Sequence, residues 1–535
     1  MHRILLVFLF CCKLGFAQNF PITWGPLERS NGGLLSILPG NQLDYKTLCW
    51  SGGNAFGSFH LVSYENLTVF NNQRLKLVTE TGLCNFLDAY PVGNQTLVFL
   101  TDRMNSNMLL YVQTYDEELS LVSTKFIAEY QNPNFGAKPA FQIIQSKNRK
   151  FLGVIWQIEG KGTQSDFYGY QILNESLEVL QKGEYTLPFD GNMSTINEHH
   201  LSNTGDYFIA LNEHNKANDR IFTRSFENFK AIHVYKASNS ELKEFSIDLH
   251  GKRLDDTQMS SNDLGAFTLT GIYGSGNRNG IEGIFNIQID PNDHTLNSET
   301  FIPFGQEIVQ EAWSMRQQDR SNSNFNSTGN NGFNNNGSFY NQSNFEPQLY
   351  NYRLRDFYTL EDGSMVGSLE QYYVYQRMNY DARTSMSTSM YYYYYDHIIA
   401  FRISKDGQLI WQKRIPKSQV SINDNGELSS YCSFQSENSL NFIFNDHARN
   451  YDEGGLFNKD VNSIYTFNAS RKNSTVAMVK IDLETGNVLR EVMSNATEIN
   501  SIVVPKLFKV DYSNKNILLY SITGSKERFG ILNYK

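Results

Sequence analysis

One strand-turn-strand unit recurs along the 535 residues and limits what the chain can fold into. It runs from Phe59 to Phe70, Met108 to Val122, Phe167 to Leu180, Ile232 to Phe245, Ile284 to Leu296, Ile398 to Trp411 and Val476 to Leu489. In each copy apolar and polar residues alternate, and an Asn, Asp or Gly turn separates two runs rich in Val, Ile, Phe, Tyr and Thr, the signature of a β-hairpin. A second strand pair with its own turn precedes the unit, as in His200 to Leu211, Phe357 to Leu369 and Phe434 to Phe444. Helical periodicity is nearly absent. Four strands per unit, with copies about 50 to 65 residues apart over the first five, match the blades of a β-propeller, whereas a sandwich would not repeat.

The expected fold is therefore all-β, a single β-propeller of four-stranded blades, eight in number with seven as the alternative. Leu507 to Tyr512, Ile517 to Ile522 and Phe529 to Tyr534 supply three strands of a last blade, and Ile22 to Glu28 is an unassigned strand at the start. The N-terminal strand is expected to join the C-terminal blade and close the ring, since closure removes exposed sheet edges.

Residues 1–17 read as a secretory signal peptide, with His2 and Arg3 as the charged start, Ile4 to Cys12 as the apolar core and Gly15-Phe16-Ala17 as the cleavage site. Cys11 and Cys12 invite a lipoprotein reading, but Phe10 stands where such a site needs a small residue. The domain then spans 18–535, and the protein is expected to be exported to the periplasm, the cell surface or the medium. No other stretch reaches the roughly 18 apolar residues that cross a bilayer, so no membrane span is expected. With 46 Lys+Arg against 55 Asp+Glu the net charge is -9, and loss of Arg3 and Lys13 makes it more negative. Such a surface repels phosphate backbones, which excludes nucleic acid as a partner. Cys49, Cys84 and Cys432 lie in apolar runs and read as buried small side chains, with a Cys49 to Cys84 bridge as the alternative.

With strands named A to D from the channel outward, A–B and C–D turns share one face, and B–C and D–A connections the other. The first set is short, as at Ser202 to Gly205 and Glu484 to Gly486. The second swells at Asn212 to Lys230, Tyr273 to Gly283, Tyr375 to Met390 and Asn445 to Phe467, and in an Asn-rich insertion at about 316–347. Asn fills 10 of the 25 positions from Ser321 to Phe345, a composition that buries too little apolar area to order itself, so a flexible flap is expected. A face that gathers every long insertion is the place to look for binding.

On that face Asn212-Glu213-His214 and Asn445-Asp446-His447 each set an acid beside a His, a pairing that serves metal binding or acid–base work, although Asx and His after a strand more often form turns that satisfy loop backbone. With Arg220, Arg224, Arg278 and Arg449 they form the expected binding set. Innermost strands are expected to carry Glu198, His199, Asp256, Arg355 and Asp356 toward the channel. The run Tyr391 to Tyr395, with Tyr372, Tyr373 and Tyr375, makes two aromatic limbs of one hairpin, where exposed rings stack on sugars or protein side chains. Gly274 to Gly280 looks like a phosphate loop, but no helix follows it. No GxSxG or HExxH motif occurs, and Ser404-Lys405-Asp406-Gly407 misses the sialidase box because Gly follows Asp directly.

Asp406 to Trp411 and Asp482 to Leu489 resemble the repeat of quinoprotein-type, tryptophan-docking propellers. Trp411 supplies the docking residue, whereas Arg490 stands in its place in the second copy, so the resemblance implies the fold and not quinone binding. Cofactor-free members of that family are envelope scaffolds, including the propeller lipoprotein of outer-membrane assembly. More broadly the chain is similar to large secreted propellers of Gram-negative bacteria without assigned activity, with Ile398 to Gln419 as the best-preserved stretch.

The leading expectation is a secreted, non-catalytic, monomeric propeller that binds a protein or glycan at the cell envelope through its long-loop face. Its rival is a secreted enzyme, a quinone-dependent dehydrogenase or a carbohydrate-active hydrolase or lyase, with its site at the channel mouth. No cofactor is expected, and no residue pattern supports calcium or quinone.

Overall fold

A computed structural model describes residues 20–40, 44–53, 57–132, 138–160, 164–190, 193–216, 228–245, 247–275, 280–290, 295–310, 349–381, 386–459 and 463–534. Eight four-stranded antiparallel blades form a ring. Strand A of blades 1 to 7 is Gly33–Pro39, Asn85–Val92, Phe141–Gln145, Ser194–Leu201, Lys252–Ser261, Tyr352–Thr359 and Cys432–Gln435. In blade 8, strand A is split into Ile502–Val503 and Lys509–Asp511, followed by Asn516–Thr523 and Lys526–Asn533. Its strand D comes from the start of the chain: Ile22–Trp24 pairs with Lys526–Asn533, with Ile22 opposite Leu532 and Trp24 opposite Gly530. The expected closure of the ring is thus present.

Middle strands have both faces covered by neighbouring blades, so they read as continuous apolar runs, whereas outer strands alternate. Gly283–Ile289 is buried at every residue, while Thr68–Arg74 is mostly exposed. The core is a ring of inter-blade seams. Leu61 and Leu109 join blades 1 and 2, Ile398 and Val479 join blades 6 and 7, and one larger cluster holding Val62, Phe434 and Leu519 ties blades 7, 8 and 1 together. Cys49, Cys84 and Cys432 are free and buried, as small hydrophobic side chains usually are. Among the described residues no helix is long and apolar enough to cross a membrane.

Two expectations about the loops need correction. Tyr375 to Met390 is mainly strand, because strands B and C of blade 6, Met365–Asp381 and Met386–Ile403, run to 17 and 18 residues. The two strands pair with each other from Gln376 opposite Tyr391 to Asp381 opposite Met386, so each satisfies the backbone of the other. Likewise Asn212-Glu213-His214 and Asn445-Asp446-His447 are the ends of strand B in blades 4 and 7, not loop openings. The Asn-rich insertion at 316–347, Arg220, Arg224, Arg278 and residues 1–17 lie outside the described residues.

Across the A–B face the turn of blade 3 spans the end of the channel. Lys147 Nζ donates to the carbonyl of Phe357 in blade 6 at 3.2 Å, and Arg149 pairs with Asp511 in blade 8 at 2.7 Å. Tyr358 and Tyr512 meet edge to face beside them, 6.5 Å apart. Side chains of blades 3, 6 and 8 thus bridge this end of the channel.

Candidate functional site

Irregularities in the innermost strands decide where their charged side chains go. In strand A of blades 4, 5 and 6 the register shifts between Ile196 and Glu198, Leu254 and Asp256, and Leu354 and Asp356. A β-bulge of this kind re-aims the residues beside it. Glu198 Oε2 then accepts the Met259 N–H of the next blade at 2.6 Å, and Asp256 Oδ2 accepts the Leu354 N–H at 3.0 Å. These channel acids stitch neighbouring innermost strands together. Burial pushes Glu198 up to about 8 and raises Asp356. His199, expected at the channel, instead turns between blades 3 and 4, with Nδ1 2.8 Å from the Tyr207 hydroxyl, and burial holds it down to about 4.

The two acid–histidine doublets do not form joint sites. Adjacent strand residues point to opposite faces. Glu213 pairs with Lys230 at 2.5 Å and with His233 at 3.3 Å, while His214 reaches Thr195 Oγ1 at 2.8 Å. Asp446 is buried against Arg490, the Tyr451 hydroxyl at 2.6 Å and Asn450 Nδ2 at 2.9 Å. Arg490 also donates to the Pro416 carbonyl and covers the Phe457 ring at 4.0 Å. His447 stacks on Tyr465 at 5.2 Å, and Arg449 lies 5.8 Å over that same ring. Both sets pin chain segments, one in blade 4 and one in blade 7. Among the described residues no group of three or more His, Cys, Asp or Glu side chains is placed to hold a metal ion.

Blades 6, 7 and 8 do bring ionisable groups together at the channel mouth. Arg355, the bulged residue of its strand, sets Nε 3.3 Å from Glu370 Oε2 and donates from Nη2 to Ser430 Oγ at 2.9 Å. The Ser430 hydroxyl in turn donates to Glu370 Oε2 at 2.7 Å. Glu370 sits at a second register shift, between Glu370 and Tyr372. Its side chain and that of Lys417, whose Nζ is 3.0 Å from Glu370 Oε1, are both fully buried. Lys417 also donates to the Tyr395 carbonyl at 2.7 Å and to Gln419 Oε1 at 3.1 Å. Burial lowers its pKa against the pull of Glu370. A charge buried this deeply persists only with such a full set of partners.

Lys506 enters from blade 8 on a 3-10 turn, Pro505–Leu507, that interrupts the innermost strand. Its Nζ donates to the Tyr395 hydroxyl at 2.7 Å and to the Gly426 carbonyl at 2.6 Å, and lies 4.1 Å from the centre of the Tyr395 ring. Burial lowers it to about 8. Gly426 has φ +66, and a Cβ there would come 2.3 Å from the Tyr395 ring, so this glycine lets the ring and the loop approach. Arg353, above Arg355 on the same strand, covers the Tyr372 ring at 4.9 Å.

The long hairpin of blade 6 rises from this cluster. Other B and C strands have 7 to 10 residues, so the extra length of about eight residues adds about 27 Å at the rise of an antiparallel strand. Tyr372 faces Tyr395, Tyr373 faces Tyr394 and Tyr375 faces Tyr392 across the ribbon. The Tyr373 and Tyr394 rings stack at 4.6 Å. Val420–Ile422 adds a third strand along Tyr392 to Tyr394, and the Tyr393 hydroxyl donates to Asn425 Oδ1 at 2.8 Å. Tyr375 is 55% and Tyr391 39% exposed. The ribbon is therefore a braced aromatic wall with rings still open to solvent.

Of the channel residues expected from sequence, Arg355 belongs to this cluster, and Asp356 follows it in the strand. Glu370, Lys417, Ser430, Tyr395 and Lys506 went unrecognised as one site, because they lie on separate strands and connections and no short motif joins them. The Tyr run was the one legible signal.

No family model matches the chain, and no curated protein does. Among solved structures it is similar to the polysaccharide lyase Uly1, at 10% identity over 84% of this chain and 89% of that chain, TM-score 0.37. It is also similar to the β-propeller domain of the Trilobed protease from Pyrococcus furiosus, at 9% identity over 86% and 97% of the two chains, TM-score 0.34. A third is a PL25 ulvan lyase bound to a GlcA–Rha3S unit, at 7% identity over 82% and 90%, TM-score 0.33. Likenesses this distant carry nothing about chemistry, and the propeller rests on the strand pairing itself.

Proposed function

We propose that this is an exported, non-catalytic propeller that binds an extended glycan across the face of its long connections. The chain of sugars lies along the tyrosine ribbon of blade 6 and ends in the channel mouth. The observation that carries this reading is the ribbon itself, a braced row of tyrosines that leads into a channel bridged at its far end. Tyrosine offers a flat apolar ring and a polar hydroxyl at low entropic cost, which suits sugar faces. A channel bridged at one end accepts a narrow chain terminus, whereas a protein partner needs a broad patch of about 800 Å² per side. The non-catalytic part of the reading draws support from Glu213, His233, Asp446 and Arg490, whose charges are spent on ion pairs that hold the fold.

The test is retention of the mature chain on a panel of immobilised polysaccharides. Replacing Tyr375 and Tyr391 together by Ala removes one exposed ring from each face of the ribbon, so whichever face the sugars follow, binding is expected to weaken about fivefold, the worth of one stacking contact, with an unchanged melting temperature. Failure of the whole panel to retain the protein, or full binding by the double variant, would overturn the reading.

A further inference from the structure

Resting on the glycan reading, we infer that the sugar bound at the channel mouth is anionic, its carboxylate or sulfate seated on the lumen side of Arg355 between Arg353 and Lys506. Charge balance in the cluster points this way. Glu370 is the carboxylate shared by Arg355 and Lys417, at 3.3 and 3.0 Å. Lys417 is fully buried beside it and neutralises it, so the charge of Arg355 is left over. Arg355 alone of the three reaches the lumen, with 38% of its side chain exposed.

Besides Glu370, Asp356 is the acid within electrostatic reach of Arg355, and burial raises its pKa and so favours its neutral form; the other channel acids are committed elsewhere. Glu198 and Asp256 accept backbone N–H groups of the next innermost strand. Asp511 pairs with Arg149, and Asp88 accepts the Tyr90 hydroxyl and the Ala89 N–H. On the other side, Arg353 and Arg355 on the innermost strand of blade 6 and Lys506 on the turn of blade 8 are all exposed. A basic wall of this kind stands out in a protein of net charge -9, whose general field repels polyanions and leaves attraction to the local site.

Geometry adds selectivity. Nε and Nη2 of Arg355 are held by Glu370 and Ser430, which fixes the guanidinium plane and presents its remaining edge to the lumen. A pre-oriented fork of N–H donors matches the two oxygens of a carboxylate or sulfate. Arg353 and Lys506 flank that edge, the first over Tyr372 and the second over Tyr395, so the charged end of the ligand meets the cations where the aromatic ribbon begins.

The experiment is calorimetric titration of the mature chain with matched pairs: polygalacturonate, alginate and hyaluronate against their methyl esters, and dextran sulfate against dextran. At least one acidic member is expected to bind about tenfold or more tightly than its neutral partner. Arg355→Gln, which leaves Glu370 its Lys417 and Ser430 partners, is expected to erase the preference. Arg353→Gln, outside the buried network, should reduce it with no change in melting, and so guards against misfolding of the first variant. A preference confined to the ester pairs identifies a carboxylate, and one confined to the dextran pair a sulfate. Equal binding of charged and neutral partners would overturn the anionic site and leave the glycan reading standing, whereas no binding to any polymer would overturn both.

Discussion

The indole Nε1 of Trp411 donates to the carbonyl of Leu483 at 2.6 Å, so the outermost strand of blade 6 is latched to the C–D turn of blade 7. The same junction recurs with other side chains: Asn71 donates to the Glu118 carbonyl, Lys125 to that of Leu177, and Gln181 to that of Ala237. In blade 6 a bulge at Ile410 sets Trp411 opposite Arg402 and turns the ring toward blade 7. In blade 7 the pairing stays in register from Val488 to Val492, Arg490 lies opposite Val479, and its guanidinium turns inward to Asp446. Two turns that align in sequence thus end in different environments.

Trp411→Phe is expected to cost about 1 kcal/mol, since it removes one hydrogen bond but keeps the ring, and Trp411→Ala about 3 to 5 kcal/mol. Gly486 has φ +68, and a Cβ there would lie 2.8 Å from the Trp411 ring, so Gly486→Ala should also destabilise. Chemical denaturation of the three variants checks the order. Equal stability of Trp411→Phe and Trp411→Ala would contradict the packing role of the ring.

The closure of the ring depends on Ile22–Trp24. A chain beginning at residue 33 loses the outer strand of blade 8 and exposes the edge of Lys526–Asn533. It is expected to lose its cooperative melting transition or to aggregate through that edge. Gly530→Val is the milder test: a Cβ at Gly530 would fall 2.6 Å from the Trp24 ring, and a lowered melting temperature is expected. An unaltered transition in the truncated chain would mean that the N-terminal strand is dispensable.

Asp446→Ala strands the buried Arg490 without its counter-ion and is expected to cost about 3 to 5 kcal/mol, the usual penalty for breaking a buried pair from one side. Replacing both, as Asp446→Leu with Arg490→Met, should recover much of that loss. A double variant no more stable than Asp446→Ala would show that these residues do more than pack the 448–473 excursion.

Glu198 sets a pH dependence. Burial raises its pKa to about 8, above the ordinary carboxylate value of about 4.3. The folded chain therefore keeps a proton that the unfolded chain releases, and the stabilisation present below about pH 4.3 is lost as pH rises toward 8. Glu198→Gln keeps an acceptor for the Met259 N–H but cannot ionise. Its melting temperature relative to the native protein should rise steadily from pH 5 to pH 8. A difference constant with pH would show that the carboxyl does not titrate in that window.

Periodicity and turn residues, as in Ile398 to Trp411 and Val476 to Leu489, were enough to determine the propeller and the four strands of its blades. They also marked Ile22 to Glu28 as the closing strand. These features follow from local chemistry, since alternation sets which face is buried and Asn, Asp and Gly set the turns. Tertiary structure alone decided the site. Arg355, Glu370, Lys417, Tyr395 and Lys506 span about 150 positions in sequence and meet because three blades converge on the channel. Bulges at Arg355 and Gln371 shift register by single residues and the turn at Pro505–Leu507 shifts it by three, and in a strand an odd shift reverses the direction of every side chain beyond it. The same sensitivity sent His199 and Arg490 into seams between blades, where no hydrophobic pattern announces their partners.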